Sequence, residues 1–95
     1  MIYCDPCVVR LKEVFRVLGS EALMEIYYIV KDMGYPSRQE ILERIANQNE
    51  RNLRKHLGLL MSLDLILSHQ ESNKRKVYYV RPGRLDEYYE LIRKL

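Results

Sequence analysis

Asn49-Glu50-Arg51-Asn52-Leu53-Arg54-Lys55-His56-Leu57, continued through Leu65-Ile66-Leu67 to Lys74-Arg75-Lys76-Val77-Tyr78-Tyr79-Val80, is the stretch whose reading decides the fold. Leu53, Leu57, Leu60 and Met61 recur at i, i+4, i+7 and i+8, so they form one apolar stripe of a helix over 50–63. Arg51, Asn52, Arg54, Lys55 and Ser62 fall largely outside that stripe. From Leu65 the period changes to two: Leu65, Leu67 and His69 alternate with Ile66, Ser68 and Gln70, then Val77 and Tyr79 with Tyr78 and Val80. Ser72-Asn73-Lys74-Arg75 has the composition of a hairpin loop. The stretch therefore predicts a basic amphipathic helix followed by a hairpin over 65–80 with a basic tip, a shape suited to nucleic acid. An isolated two-stranded hairpin is unstable, so this one has to lean on the helices.

Upstream, Ser37-Arg38-Gln39-Glu40 fits a capping box and starts a third helix through Ile41, Leu42, Ile45 and Ala46. Asn47-Gln48-Asn49 interrupts it, with Asn47 suited to left-handed backbone and Asn49 suited to cap the basic helix. Two short helices separated by about three residues, the second bearing cations, have helix-turn-helix spacing. Further upstream, Ser20 caps a helix over residues 21–33 ended by Gly34. Ala22, Leu23, Ile26, Tyr27, Ile29, Val30 and Met33 make it apolar around much of its circumference, as a central helix is.

The terminal segments also read as helices. Asp5-Pro6 is a helix start, and Val8, Leu11, Phe15 and Leu18 follow helical spacing, with Val14 beside them and Gly19 as a left-handed stop. After Arg81-Pro82-Gly83, Leu85, Tyr88, Tyr89, Ile92 and Leu95 form a last stripe on a helix that begins acidic and ends basic. Both stripes are wide for a domain of 95 residues. The helices at 6–18 and 85–95 are therefore expected to meet a second copy in a symmetric homodimer. The paired tyrosines lie on apolar stripes or in strands, which favours core and interface roles over base stacking.

Composition narrows the function classes. The chain has the length of a single domain, 1–95, and its 47% hydrophobic and 31% charged residues are those of a globular protein. Its longest apolar runs, such as Ile26-Tyr27-Tyr28-Ile29-Val30, fall far short of the ~20 residues that span a bilayer, and Met1 to Pro6 have no signal-peptide character. A cytoplasmic protein without membrane partners is expected. The net charge of +3 says little alone, but its distribution is uneven. Residues 1–50 hold six Lys and Arg against eight Asp and Glu, whereas residues 51–84 hold eight against only Asp64 and Glu71. Concentrated positive charge favours phosphate binding, because affinity grows with the number of phosphates neutralised together.

The run His56-Leu57-Gly58-Leu59-Leu60-Met61-Ser62-Leu63-Asp64-Leu65-Ile66 resembles the ArsR-type winged-helix signature. In that signature a Ser/Arg-His-Leu run is followed by Leu and, at the helix end, by Gly-Leu-Val/Ile. Leu18-Gly19 and Tyr79 also stand where that pattern has such residues, and the likeness extends over roughly residues 10–92. It is as close to the small winged-helix regulators of archaea and their viruses as to a metal sensor. Asp64 replaces the usual Gly, Arg54 stands where Ser is frequent, Leu23 replaces Arg, and the turn before the recognition helix has Asn residues and an extra position. The family's metal-sensing cysteines lie beside the recognition helix, where this chain has none, so no metal or cofactor is carried over.

The resemblance implies a fold that is mostly α with a β-hairpin wing, in the order α-α-α-α-β-β-α, and a homodimeric regulator binding double-stranded DNA at an inverted repeat. The recognition helix at 50–63 would enter the major groove, with the wing on the backbone or adjacent minor groove. Arg51, Asn52, Arg54 and Lys55 occupy the turns that reach base edges in such a geometry. Asn73, Lys74, Arg75 and Lys76 at the wing, with Arg38 at the start of the third helix, suit phosphate contacts. The alternative is a winged helix that binds protein rather than DNA. Nothing reads as an enzyme: HExxH, P-loop and dinucleotide fingerprints are all lacking.

His56 and His69 are each single, and read as polar or packing residues rather than ligands. Cys4-Asp5-Pro6-Cys7 has three readings: two free thiols, a disulfide or redox pair in which a helix N-terminus lowers the Cys7 thiol pKa, or half of a zinc site. The first two rank above metal.

Overall fold

The helix over Glu21–Met33, α2, is the centre of the molecule. Leu23, Ile26, Tyr27 and Val30 along it are buried, and it packs against the helices on either side of it in the chain, the basic helix and the hairpin. The coordinates are a computed structural model that describes residues 5–46 and 49–94, with side chains from residue 12 onward. In chain order, α1 spans Asp5–Leu18, α2 Glu21–Met33, α3 Arg38–Arg44 and α4 Glu50–Ser62; β1 spans Ile66–Gln70, β2 Lys76–Val80 and α5 Arg84–Arg93. The element order is the expected one. The Cys4–Cys7 pair, Val8, Leu11, Asn47 and Leu95 lie outside the described side chains.

Short-range chemistry fixes the helix starts. Ser20 accepts from the Leu23 N–H at 3.3 Å, and Asn49 accepts from the Asn52 N–H at 2.9 Å. At α3 the capping box is complete: the Ser37 hydroxyl accepts from the Glu40 N–H at 3.3 Å, and the Glu40 carboxylate accepts from the Ser37 N–H at 3.0 Å. α3 ends at Arg44, two residues short of the expected Ala46, because Ile45 turns to extended backbone. Two side chains of α2 then hold the turn: Glu25 accepts from the Ala46 N–H at 3.1 Å, and Asp32 pairs with Arg44 at 3.1 Å. The central helix thus sets the angle between α3 and α4.

α4 ends in a Schellman arrangement: the Leu65 N–H reaches the Leu60 carbonyl and the Asp64 N–H reaches that of Met61. Asp64 sits at φ 59° in the left-handed position that glycine usually fills. Gly19 differs from expectation: it is not left-handed, and its need for glycine is steric, since a Cβ there would lie 3.3 Å from the Phe15 carbonyl oxygen.

The hairpin pairs Ile66 with Val80 through to Gln70 with Lys76. It leans on the body through a single bridge to the segment before α3. Ser37 bridges Val77, and the Tyr78 N–H donates to the Pro36 carbonyl at 2.9 Å. β2 is therefore the inner strand and packs on both faces, burying Val77 and Tyr78 together. β1 is outer, and its burial fades from Ile66 to an exposed His69 and Gln70. The expected in-out alternation gives way to a gradient from a clamped base to a protruding tip.

α5 closes the far side, where the Tyr88 hydroxyl donates to the Leu63 carbonyl at 2.7 Å in a buried bond. The wide stripe of α1 is split: Val14 and Val17 are buried, while Phe15 is 49% exposed. Tyr89 and Leu91 are similarly half-exposed on α5. No described helix is long and apolar enough to cross a membrane.

Candidate nucleic-acid interface

Burial fixes the orientation of α4. Leu53, Leu57 and Leu60 face the core, so at 100° per residue the outward face runs from Glu50 and Arg54 on one flank, through Gly58, Arg51 and Ser62, to Lys55 and then His56 on the other. Arg51, Asn52, Arg54 and Lys55 are all exposed.

The first flank connects to the wing through ion pairs. Glu50 binds Arg54 on its own helix and Arg38 at the start of α3, each at 3.2 Å. Glu40, one turn into α3, pairs with Arg75 of the wing. Of the cations expected from sequence, Arg54 and Arg38 thus meet at Glu50, and Arg75 is joined to α3 through Glu40. The tip itself is a tight turn: the Lys74 N–H donates to the Glu71 carbonyl, Lys74 takes φ 66°, and Asn73 accepts from the Arg75 N–H at 3.0 Å. That turn has Ser72 and Asn73 at its apex and ends on the exposed Lys74. Asn73 thereby has a turn-holding role that composition did not reveal. Lys76 lies over the Tyr78 ring, 5.7 Å from its centroid.

Two cations of the basic segment belong elsewhere. Arg84 and Arg81 lie 3.6 and 3.8 Å from the Asp64 carboxylate, at the end of α4 beside α5. Arg84 also bonds Glu87 at 2.8 Å and stacks on the Tyr88 ring. The Glu87 hydrogen bond is the leading cause that raises the Arg84 pKa, against the opposing pull of burial. Counting charges along the chain therefore overstated this surface by two.

Gly58 stands in the middle of the outward face. A Cβ added there would meet nothing within 4 Å, which removes internal close packing as its reason. Glycine inside a helix costs about 1 kcal/mol relative to alanine, and nothing in the fold requires it.

Sequence reasoning missed the other flank. Arg16 from α1 and Ser20 and Leu23 at the start of α2 face Lys55, His56 and Leu59 of α4 across an open cleft of about 370 Å³. Burial first, and then the charges of Lys55 and Arg16, hold the His56 pKa below its ordinary value. The available signal was Arg16 itself, one turn before the N-cap of α2. No group of three or more His, Cys, Asp and Glu side chains able to hold a metal ion occurs among the described residues.

No family model matches the sequence, and no curated protein matches it. Solved structures do. An ArsR-like transcriptional regulator from Rhodococcus sp. RHA1 superposes with a TM-score of 0.77 at 20% identity, covering 92% of this chain and 79% of that one. The reduced form of the transcriptional regulator YodB from Bacillus subtilis gives 0.68 at 16% identity, over 98% and 90%. Mb0332 from Mycobacterium bovis, described as a homodimeric winged helix-turn-helix DNA-binding domain and a possible ArsR-family regulator, gives 0.70 at 16%, over 97% and 85%. The chain has the winged helix-turn-helix fold. In that fold α3 and α4 are the helix-turn-helix, and β1 and β2 are the wing.

Proposed function

We propose that the chain is a sequence-specific, double-stranded-DNA-binding transcriptional regulator that acts in the cytoplasm as a homodimer. The observation that carries this reading is that Arg38 of α3 and Arg54 of α4 meet at Glu50 on the exposed flank of α4, while Arg75 of the wing is tied to α3 through Glu40. The regulators that share the fold support it.

In this reading α4 enters the major groove. Arg51, Asn52, Arg54 and Lys55 meet base edges, where Arg pairs with guanine and Asn with adenine. Arg38, Lys74, Arg75 and Lys76 meet phosphates along the backbone or minor groove, and Asn73 shapes the turn that presents them. Gly58 leaves room for the groove floor to approach the helix. Dimerisation through α1 and α5 would cover Phe15, Tyr89 and Leu91. It would set the two recognition helices about one DNA turn apart, ~34 Å, and favour an inverted repeat. The role is binding rather than catalysis.

Selection of bound duplexes from a random pool tests both points at once. An enriched palindrome is the expected result, and no enrichment at low salt would overturn the reading in favour of protein recognition. On the enriched duplex, Lys74→Ala or Arg75→Ala should weaken binding to every sequence alike and lower its salt dependence.

A further inference from the structure

A helix lying in the major groove, about 12 Å wide, has a phosphate backbone on each side. Arg38, Arg54 and Arg75 serve the wing-side one, since they lie on that flank of α4. On the opposite flank, the cleft between α4 and the α1–α2 junction gathers Arg16, Lys55 and His56 around a floor of Leu23 and Leu59, with the Ser20 hydroxyl at its edge. Its groups come from three helices, and its charge is positive.

We propose that Arg16 and His56 bind a phosphodiester of the DNA strand on the side of the groove away from the wing, with Lys55, whose ammonium reaches base edges, adding its charge to the cleft. This rests on the DNA-binding reading above and adds the second strand to it. Arg16 supplies the permanent charge and a planar fork of donors, Lys55 a point charge, and His56 an N–H donor.

His56 adds a pH response. The ionisable groups acting on it, among the described residues, are Lys55 from its own helix and Arg16 from α1; the α2 lining, Ser20 and Leu23, does not ionise in this range. Without DNA, burial and those two cations hold the imidazole pKa below its ordinary value. A phosphate in the cleft reverses the local charge and favours the imidazolium, so binding takes up a proton and tightens as pH falls.

The test uses the full chain and the enriched duplex. Arg16→Ala should weaken binding roughly tenfold on specific and non-specific duplexes alike, and lower the salt slope by about one unit, as expected for loss of one phosphate contact. Arg16→Lys should restore part of that loss. His56→Gln should abolish the tightening between about pH 7.5 and about pH 6. A duplex with a single neutral methylphosphonate at the contacted position should bind the native chain as weakly as the unmodified duplex binds Arg16→Ala, with no further loss when the two changes are combined.

Native affinity and salt slope in Arg16→Ala, with Arg54→Ala impaired, would overturn this proposal and leave the DNA-binding reading intact. Loss of effect in both variants would instead remove the underlying reading. Movement of the His56 imidazole resonances with millimolar inorganic phosphate but not with duplex would overturn the assignment to DNA.

Discussion

Two carboxylates in this molecule each gather two arginines, and the two clusters have opposite roles. Glu50 holds Arg38 and Arg54 at 3.2 Å on the outward side of α4, and the Arg54 side chain is 60% exposed. Asp64 faces Arg81 and Arg84 at the other end of the same helix, where the Arg84 side chain is only 20% exposed, stacked on Tyr88 and bonded to Glu87. An exposed ion pair contributes at most about 1 kcal/mol, so the Glu50 arginines can exchange a carboxylate for a phosphate or a base at little cost. Arg84 cannot leave without uncovering the Tyr88 ring and giving up its pairs with Glu87 and Asp64. Residue type is the same in both clusters, and what sets Arg84 apart is its set of further partners, since Arg81 at 46% exposed is no deeper than Arg38 at 40%.

A crossed pair of substitutions breaks this comparison most directly. Arg54→Ala should lose about 1–3 kcal/mol of binding to the preferred duplex, with folding stability unchanged within about 0.5 kcal/mol. Arg84→Ala should do the reverse, lowering stability by about 1–2 kcal/mol in a denaturant titration while the folded variant binds DNA normally. Equal effects of the two on binding would erase the distinction.

Gly58→Ala sharpens it. The helix should gain about 1 kcal/mol of stability, while affinity falls because a methyl group occupies the face that meets the groove. A gain in stability with unchanged affinity would mean that nothing approaches that position. Glu50→Gln releases Arg38 and Arg54 from their carboxylate. Affinity should rise severalfold on all duplexes, with a steeper salt dependence, since one negative charge leaves the interface. The smallest effect belongs to Asp64→Gly. Glycine relieves the left-handed backbone at φ 59° but gives up the pairs with Arg81 and Arg84, so stability should change by no more than about 1 kcal/mol. A large loss would show the Asp64 cluster to be a stronger clamp than exposed pairs usually are.

The sequence by itself determined the elements and their order. Capping chemistry acts over three residues, so Ser20, Ser37 and Asn49 announce their helices wherever the rest of the chain goes. The apolar spacing of Leu53, Leu57 and Leu60 likewise fixed the inward side of α4, and with it the outward position of Arg51, Arg54 and Lys55. Only the tertiary structure decided which other cations join them. Arg75 meets Glu40, a contact between residues far apart in the chain, and Ser37 forms a bridge to Val77, which no periodicity in either segment encodes. The same holds for Arg16, which faces Lys55 and His56 across a cleft only because α1 and α4 both pack on α2, and for Arg81 and Arg84, which pair with Asp64 away from the basic surface. Local pattern sets which way a side chain leaves its own element. What it finds there depends on how the elements pack, and that follows from burying their apolar faces together rather than from the charges themselves.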